Sequence, residues 1–224
     1  MKKKKMIVLL LVFSMIISSS IGTLMASEKN VQAASTYSGK IWKIKQVSLR
    51  KSKSKKAKSL RKIKKGTKVT VHYTSGSWRK VTYKGSTGWV LKKYVYISTS
   101  APKLKGSSYS KGTTVATFAK RFVGNSYVWG GTSLNSGADC SGFVKSVYKS
   151  FGYNIPRSSS SQRKAGKKVS SKKIQPGDLV CYSGHVAMYI GSGKIVHASS
   201  RKTGIKISPN YKYRKVLSIR RIVK

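Results

Sequence analysis

The stretch Gly137-Ala138-Asp139-Cys140-Ser141-Gly142-Phe143-Val144 constrains this chain more than any other. Behind it apolar residues fall at 143, 144, 147, 148 and 151, which is helical spacing, so Cys140 stands where a loop becomes a helix. Asp139 is placed to cap that helix. A thiol at a helix N-terminus meets unpaired backbone N–H groups and the positive end of the dipole, and both favour the thiolate. The expectation is a cysteine nucleophile held as an anion. The plainer alternative is a buried structural cysteine.

Composition removes most other chemistry. The acidic residues are Glu28, Asp139 and Asp178, and the histidines are His72, His185 and His197. Glycoside hydrolysis usually needs two carboxylates flanking the bond, and only Asp139 and Asp178 lie beyond the leader described next. No His-x-x-x-His, paired Cys-x-x-Cys or acidic cluster is present to hold a metal, and no cofactor is required. One cysteine with two histidines downstream is what remains.

Residues 1–34 read as a signal peptide: Lys2 to Lys5, an apolar run from Met6 to Ile17, then Val31-Gln32-Ala33-Ala34 with small residues for cleavage. The run is short for a spanning helix, so export is expected and a stable membrane anchor is not. The formal charge is +45, and loss of five leader lysines with Glu28 leaves +41. Such a field draws polyanions. For an exported chain the counterpart is the anionic polymer of the cell wall, and nucleic acid is disfavoured by the leader.

Residues 38–98 carry short alternating runs at 68–73, 78–83 and 88–91, with turns at Gly66-Thr67, Ser75-Gly76 and Lys84-Gly85. This rhythm predicts a small all-β barrel or sandwich. Val47-Ser48-Leu49-Arg50, Lys65-Gly66-Thr67-Lys68-Val69, Ser77-Trp78-Arg79-Lys80-Val81 and Gly85-Ser86-Thr87-Gly88-Trp89-Val90 resemble a bacterial SH3-type domain. The resemblance implies binding to cell-wall peptide or glycan. Residues 99–110, rich in Ser and Lys, read as a linker that leaves the two halves free to move.

Residues 111–224 are enough for one domain with its own core. A first helix is expected over 113–123, and strands over 177–182, 185–190, 194–199 and 216–223. Helices followed by a β-meander describe an α+β fold. Gly191-Ser192-Gly193 is read as a three-residue hairpin loop, which makes 187 face 197 and puts His185 and His197 on one face, Cβ atoms roughly 7 to 8 Å apart. A two-residue loop would send them to opposite faces. On one face, His185 can take the thiol proton while His197 holds its other ring nitrogen. Cys181 lies in an apolar strand; a Cys140–Cys181 disulfide is the competing reading. Trp129 and Asp178 are expected to be structural, one packed under a loop and the other ordering a Pro-Gly turn.

Tyr127-Val128-Trp129-Gly130-Gly131, Asp139-Cys140-Ser141-Gly142-Phe143-Val144, Pro176-Gly177-Asp178-Leu179-Val180, Gly184-His185-Val186-Ala187-Met188-Tyr189-Ile190-Gly191 and Ile195-Val196-His197-Ala198 together resemble the NlpC-type bacterial cell-wall cysteine peptidases. The resemblance implies a papain-like α+β core behind the SH3-like barrel, with Cys140 as nucleophile, His185 as base and His197 as third polar residue. It also implies that Tyr127, Asp139 and Ser141 line the peptide pocket, with Asp139 able to hold a free amino group, and that Arg157 and Gln162 lie at the groove or on the surface near it. The expected activity is that of a secreted D,L-endopeptidase cutting the peptidoglycan stem-peptide amide between γ-D-glutamate and the diamino acid. The expected form is a monomer. The alternative is a cationic, non-catalytic wall-binding protein.

Overall fold

The computed structural model describes residues 36–224, and the signal-peptide expectation falls outside them. The first seven strands are β1 (Tyr37–Ile41), β2 (Gln46–Arg50), β3 (Ser59–Lys64), β4 (Lys68–Ser75), β5 (Trp78–Tyr83), β6 (Ser86–Leu91) and β7 (Val95–Ile97). They form one antiparallel sheet in the order β3-β2-β6-β5-β4-β1-β7. Period-2 alternation turns Val69 and Val71 of β4, Val81 of β5 and Val90 of β6 inward to meet Leu49 and Ile63. The all-β expectation holds; a single 3-10 turn at Lys92–Tyr94 interrupts it.

The second region starts with α1 (Ser108–Lys120). It begins five residues before the expected start because the Ser107 hydroxyl caps it, accepting from the Ser110 amide at 3.3 Å. A short ribbon, β8 (Thr132–Ser133) with β9 (Gly137–Ala138), leads into α2 (Cys140–Ser150). Phe143, Val144, Val147 and Tyr148 of α2 are fully buried, as their spacing predicts. After the one-turn helix α3 (Ser159–Gln162) come β10 (Lys167–Val169), β11 (Leu179–Tyr182), β12 (His185–Gly191), β13 (Lys194–Ser200), β14 (Gly204–Ser208) and β15 (Ser218–Arg221). Their sheet order is β10-β15-β11-β12-β13-β14. β10 and β14 were not expected from the sequence.

The sheet is buried on both faces. Leu179, Cys181, Val186, Met188, Val196 and Ala198 join the large core with α1 and α2. Val180, Tyr182, Ala187, Tyr189 and Ile195 form a second cluster covered by Ile174, Tyr211 and Val216. Both cysteines are free thiols and both are buried. Asp178 orders its Pro-Gly turn, accepting from the Gln175 amide at 2.8 Å while Arg221 grips both carboxylate oxygens.

Residues 36–224 pack as one unit, which differs from two freely moving halves. One apolar cluster runs through both halves, and polar contacts also cross the seam. Arg79, 1% exposed, donates to Val95 O and to Asn125 Oδ1. Asn135 pairs with the edge of β7 like another strand, accepting from Ile97 N at 2.8 Å and donating to Ile97 O at 3.0 Å. Lys92 Nζ reaches Gly124 O at 2.6 Å. Composition alone marks 99–110 as a linker, but residues on either side of it tie the halves together, and its own Ala101 and Leu104 pack against the core. No helix among the described residues is long and apolar enough to cross a membrane.

Candidate active site

Asp139 begins the site by beginning the helix. Its Oδ1 accepts from the Gly142 amide at 2.7 Å, which is the expected N-cap. The same carboxylate accepts from Gly130 N at 2.9 Å, from Ser141 Oγ at 3.2 Å, and from Arg157 at 3.0 and 2.6 Å in a two-pronged ion pair. Five hydrogen bonds exceed the roughly four lone-pair sites of a carboxylate. Arg157 thus already supplies a cation to the carboxylate to which the sequence reading brought a substrate amine. Burial pushes the Asp139 carboxyl up, but the Arg157 guanidinium and the Gly142 and Gly130 amides together hold it below its ordinary value.

Ser141 belongs to the same network, accepting from Arg157 Nη1 at 2.8 Å, and is buried. Gly142 must lack a side chain, because a Cβ there would run into the Gly131 carbonyl oxygen. That close approach locks the Tyr127–Gly131 turn onto the first turn of α2. Tyr127 is half-buried, and its hydroxyl is pushed up by burial and by the neighbouring Cys140 and Asp139. Trp129, expected to pack beneath this loop, is instead 77% exposed. Gln162 also corrects the sequence reading: it is fully buried and donates to Ser141 O at 3.0 Å and Pro156 O at 2.8 Å. It ties α3 to the start of α2 and does not line a groove.

His185 opens β12 and His197 lies midway along β13. His185 Nε2 is 2.8 Å from His197 Nδ1, both rings buried. The pair lies on one face as expected, but for a different reason. Ser192 and Gly193 make a two-residue loop with φ of 48° and 72°, so Gly191 faces Lys194. A bulge between Tyr189 and Gly191 then shifts the register by one, so Met188 faces Val196. Two shifts cancel, and the histidine parity survives.

Around the pair lie residues that sequence reasoning missed. His197 Nε2 is 2.9 Å from Ser208 Oγ of β14. The Tyr182 ring stacks on His185 at 6.0 Å between centroids, and Tyr213 meets His197 edge-on at 5.9 Å. Arg214, beside Tyr213, reaches Ser183 O at 3.3 Å. Alternation across Gly204-Ile205-Lys206-Ile207-Ser208 was the available signal for β14; the irregular segment 209–217 offers none.

Burial favours the uncharged forms of the Cys140 thiol and of both imidazoles. Burial, reinforced by Arg214, lowers His185 to about 4. Burial, then His185 and Lys206, lowers His197 to about 3. Burial also pushes the Cys140 thiol up; the Val186, Ser141 and Cys140 amides pull the other way, and the Asp139 charge adds to the rise. The expected standing thiolate is thus opposed by desolvation, which a helix terminus does not outweigh in a side chain 9% exposed. Among the described residues no hydrogen bond joins the thiol to either imidazole. With Nε2 committed to His197, Nδ1 is the nitrogen of His185 left to accept a proton. No group of three or more His, Cys, Asp and Glu side chains that could hold a metal occurs among the described residues.

A family model described as "NlpC/P60 family" matches residues 124–221, and one described as "Bacterial SH3 domain" matches residues 45–96. The chain is 41% identical over 98 residues to a gamma-D-glutamyl-L-lysine dipeptidyl-peptidase of Bacillus cereus, covering 40% of this chain and 29% of that protein. It is 33% identical over 162 residues to a gamma-DL-glutamyl hydrolase of Bacillus subtilis, covering 67% of this chain and 38% of that protein. It therefore spans well under half the length of these curated relatives. The solved structure of NlpC1 from Trichomonas vaginalis shares the fold, with a TM-score of 0.50 at 23% identity over 85% of this chain and 70% of that one.

Proposed function

We propose that the chain is an exported hydrolase of peptidoglycan stem peptides, because residues 124–221 match the NlpC/P60 family and residues 45–96 match a bacterial SH3 domain. The proposed division is a leader over 1–34, a wall-binding region over 38–98, a connector over 99–110 and a catalytic region over 111–224. The observation that carries this reading is the buried His185–His197 pair on β12 and β13, the two strands against which the helix begun by Cys140 packs.

In the proposed mechanism His185 Nδ1 takes the Cys140 proton as the sulfur adds to the amide carbonyl. The Cys140 backbone N–H, at the unpaired first turn of α2, faces the oxyanion. The carbon–nitrogen bond then breaks and His185 returns the proton to the leaving amine. Water, deprotonated by the same nitrogen, attacks the thioester and releases the carboxylic acid and the free thiol. The bond proposed is the one following γ-D-glutamate, in keeping with the names of the two bacilli relatives.

Anionic wall polymers are the proposed second partner. Residues 36–98 hold no Asp or Glu, and Lys51, Lys53, Lys55, Lys56 and Lys58 stand exposed along the β2–β3 connection. Both acidic side chains among the described residues are already bound, to Arg157 and Arg221. These cations have no internal counter-ion, so retention on the wall is expected to weaken steeply with salt.

Incubation with purified sacculi tests the activity. A new amine on the diamino acid, absent with Cys140→Ala while wall binding persists, is the expected outcome. A new reducing sugar end, or unchanged turnover by Cys140→Ala, would overturn it.

A further inference from the structure

A neutral imidazole carries one N–H and one lone pair, so a chain of hydrogen-bonded rings has a direction. Here the chain is Ser208 Oγ, His197 and His185, joined at 2.9 and 2.8 Å. Ser208 is placed for this by β14: Lys206 faces His197 across the strands, and Ser208 is the next residue on the same face. From this geometry we infer that Ser208 is a positioning residue that selects the tautomer in which His185 can act as a base. The inference rests on the cysteine-hydrolase reading above.

Two arrangements satisfy both hydrogen bonds. In the first, His197 Nε2–H donates to Ser208 Oγ. His197 Nδ1 then accepts from His185 Nε2–H, and His185 Nδ1 keeps a lone pair for the thiol proton. In the second, the Ser208 hydroxyl donates to His197 Nε2, His197 Nδ1–H donates to His185 Nε2, and His185 Nδ1 carries a proton. That form cannot accept one from Cys140. The choice made at one hydroxyl therefore decides the state of a ring two groups away.

Charge does not blur the choice. Tyr182 of β11, Tyr213 and Arg214 of the 209–217 segment and Lys206 of β14 face the pair; none is a carboxylate, and Arg214 and Lys206 disfavour the doubly protonated rings. Ser208 is 8% exposed and its hydroxyl has no other hydrogen-bond partner among the described residues, so its proton is free to turn away while its oxygen accepts from His197. Without that oxygen the first arrangement strands a buried N–H, whereas the second leaves only a lone pair unpaired. Orphaned donors are the rarer, costlier case. Removing the hydroxyl should therefore push His185 into the form that cannot act as base.

The test uses Ser208→Ala together with Ser208→Val and Ser208→Thr, a pair of nearly equal shape that differ by the hydroxyl. Nitrogen-15 NMR of labelled histidine in the full mature chain at neutral pH reads the tautomer directly. Wild type and Ser208→Thr should hold His185 Nδ1 unprotonated. Ser208→Ala and Ser208→Val should show it protonated, with kcat/KM on stem peptide down about 100-fold or more. An unchanged tautomer in the Ala and Val variants, or activity lost equally in Thr and Val, overturns the inference. If wild type lacks activity on sacculi but the tautomer follows the hydroxyl, the positioning role stands and the hydrolase reading fails.

Discussion

His185 and His197 share one face of the sheet although the turn between their strands has only two residues. The bulge at Tyr189–Gly191 makes the correction, and it needs Gly191 at φ 93°. A Cβ at Gly191 has room, its nearest neighbour being Pro176 Cγ at 3.8 Å, so the obstacle is conformational. Gly191→Ala should cost about 1–2 kcal/mol in denaturant unfolding. Activity should fall as the register loosens. A variant as stable as wild type would mean that the bulge tolerates an L side chain and does not fix the pair.

Alkylation of Cys140 should proceed slowly at neutral pH, with a midpoint above the ordinary thiol value of 9.0, because burial raises it. Cys181, wholly buried, should stay unmodified in the folded chain. Asp139→Asn keeps an oxygen to cap Gly142 but removes the nearby negative charge, so the Cys140 midpoint should fall. A midpoint well below 9 in wild type would restore a preformed thiolate.

Stability should decline as pH falls from about 6.5 toward 4 and then 3. In that window the unfolded chain binds protons on His185 and His197 that the folded chain refuses, its values being about 4 and 3. More protons bound in the unfolded state means stability rises with pH there. Below 3.8 the Asp139–Arg157 pair adds a further loss as its carboxylate protonates. Melting temperatures of wild type and a His185→Gln/His197→Gln variant across this range check it; parallel curves would contradict the assignment.

Asp139→Ala removes the cap and leaves Arg157 without its carboxylate, with only the Ser141 hydroxyl to accept from it. The cost should be about 1–2 kcal/mol for the cap alone, and more than Asp139→Asn incurs. Chemical denaturation of both variants measures the difference, and equal costs would show the cap to be idle.

The helix behind Cys140 was legible because its burial follows a local period. The histidine pair was legible from strand parity, although the assumed three-residue loop is a two-residue loop plus a bulge, two departures that cancel. Ser208 was not, because a diagonal contact requires knowing that β14 exists and where it pairs. Tyr213 and Arg214 come from a segment without period, and only the folded chain brings them over the imidazoles. Burial pushes the Cys140 thiol in the direction opposite to the expectation, because a helix terminus can be read from spacing, whereas the desolvation of a sulfur depends on everything packed around it. Trp129 and Gln162 exchanged roles for the same reason: residue type does not report burial in a loop.

The central claim is that the Cys140 sulfur becomes covalently bonded to the acyl half of the cut peptide. Rapid acid quenching of the enzyme with a soluble stem peptide, followed by peptide mapping by mass spectrometry, tests it directly. The account predicts a transient thioester on the fragment containing Cys140, accumulating further when His185→Gln slows its hydrolysis. Release of the amine with no adduct on Cys140, or an adduct on any other side chain, would contradict it.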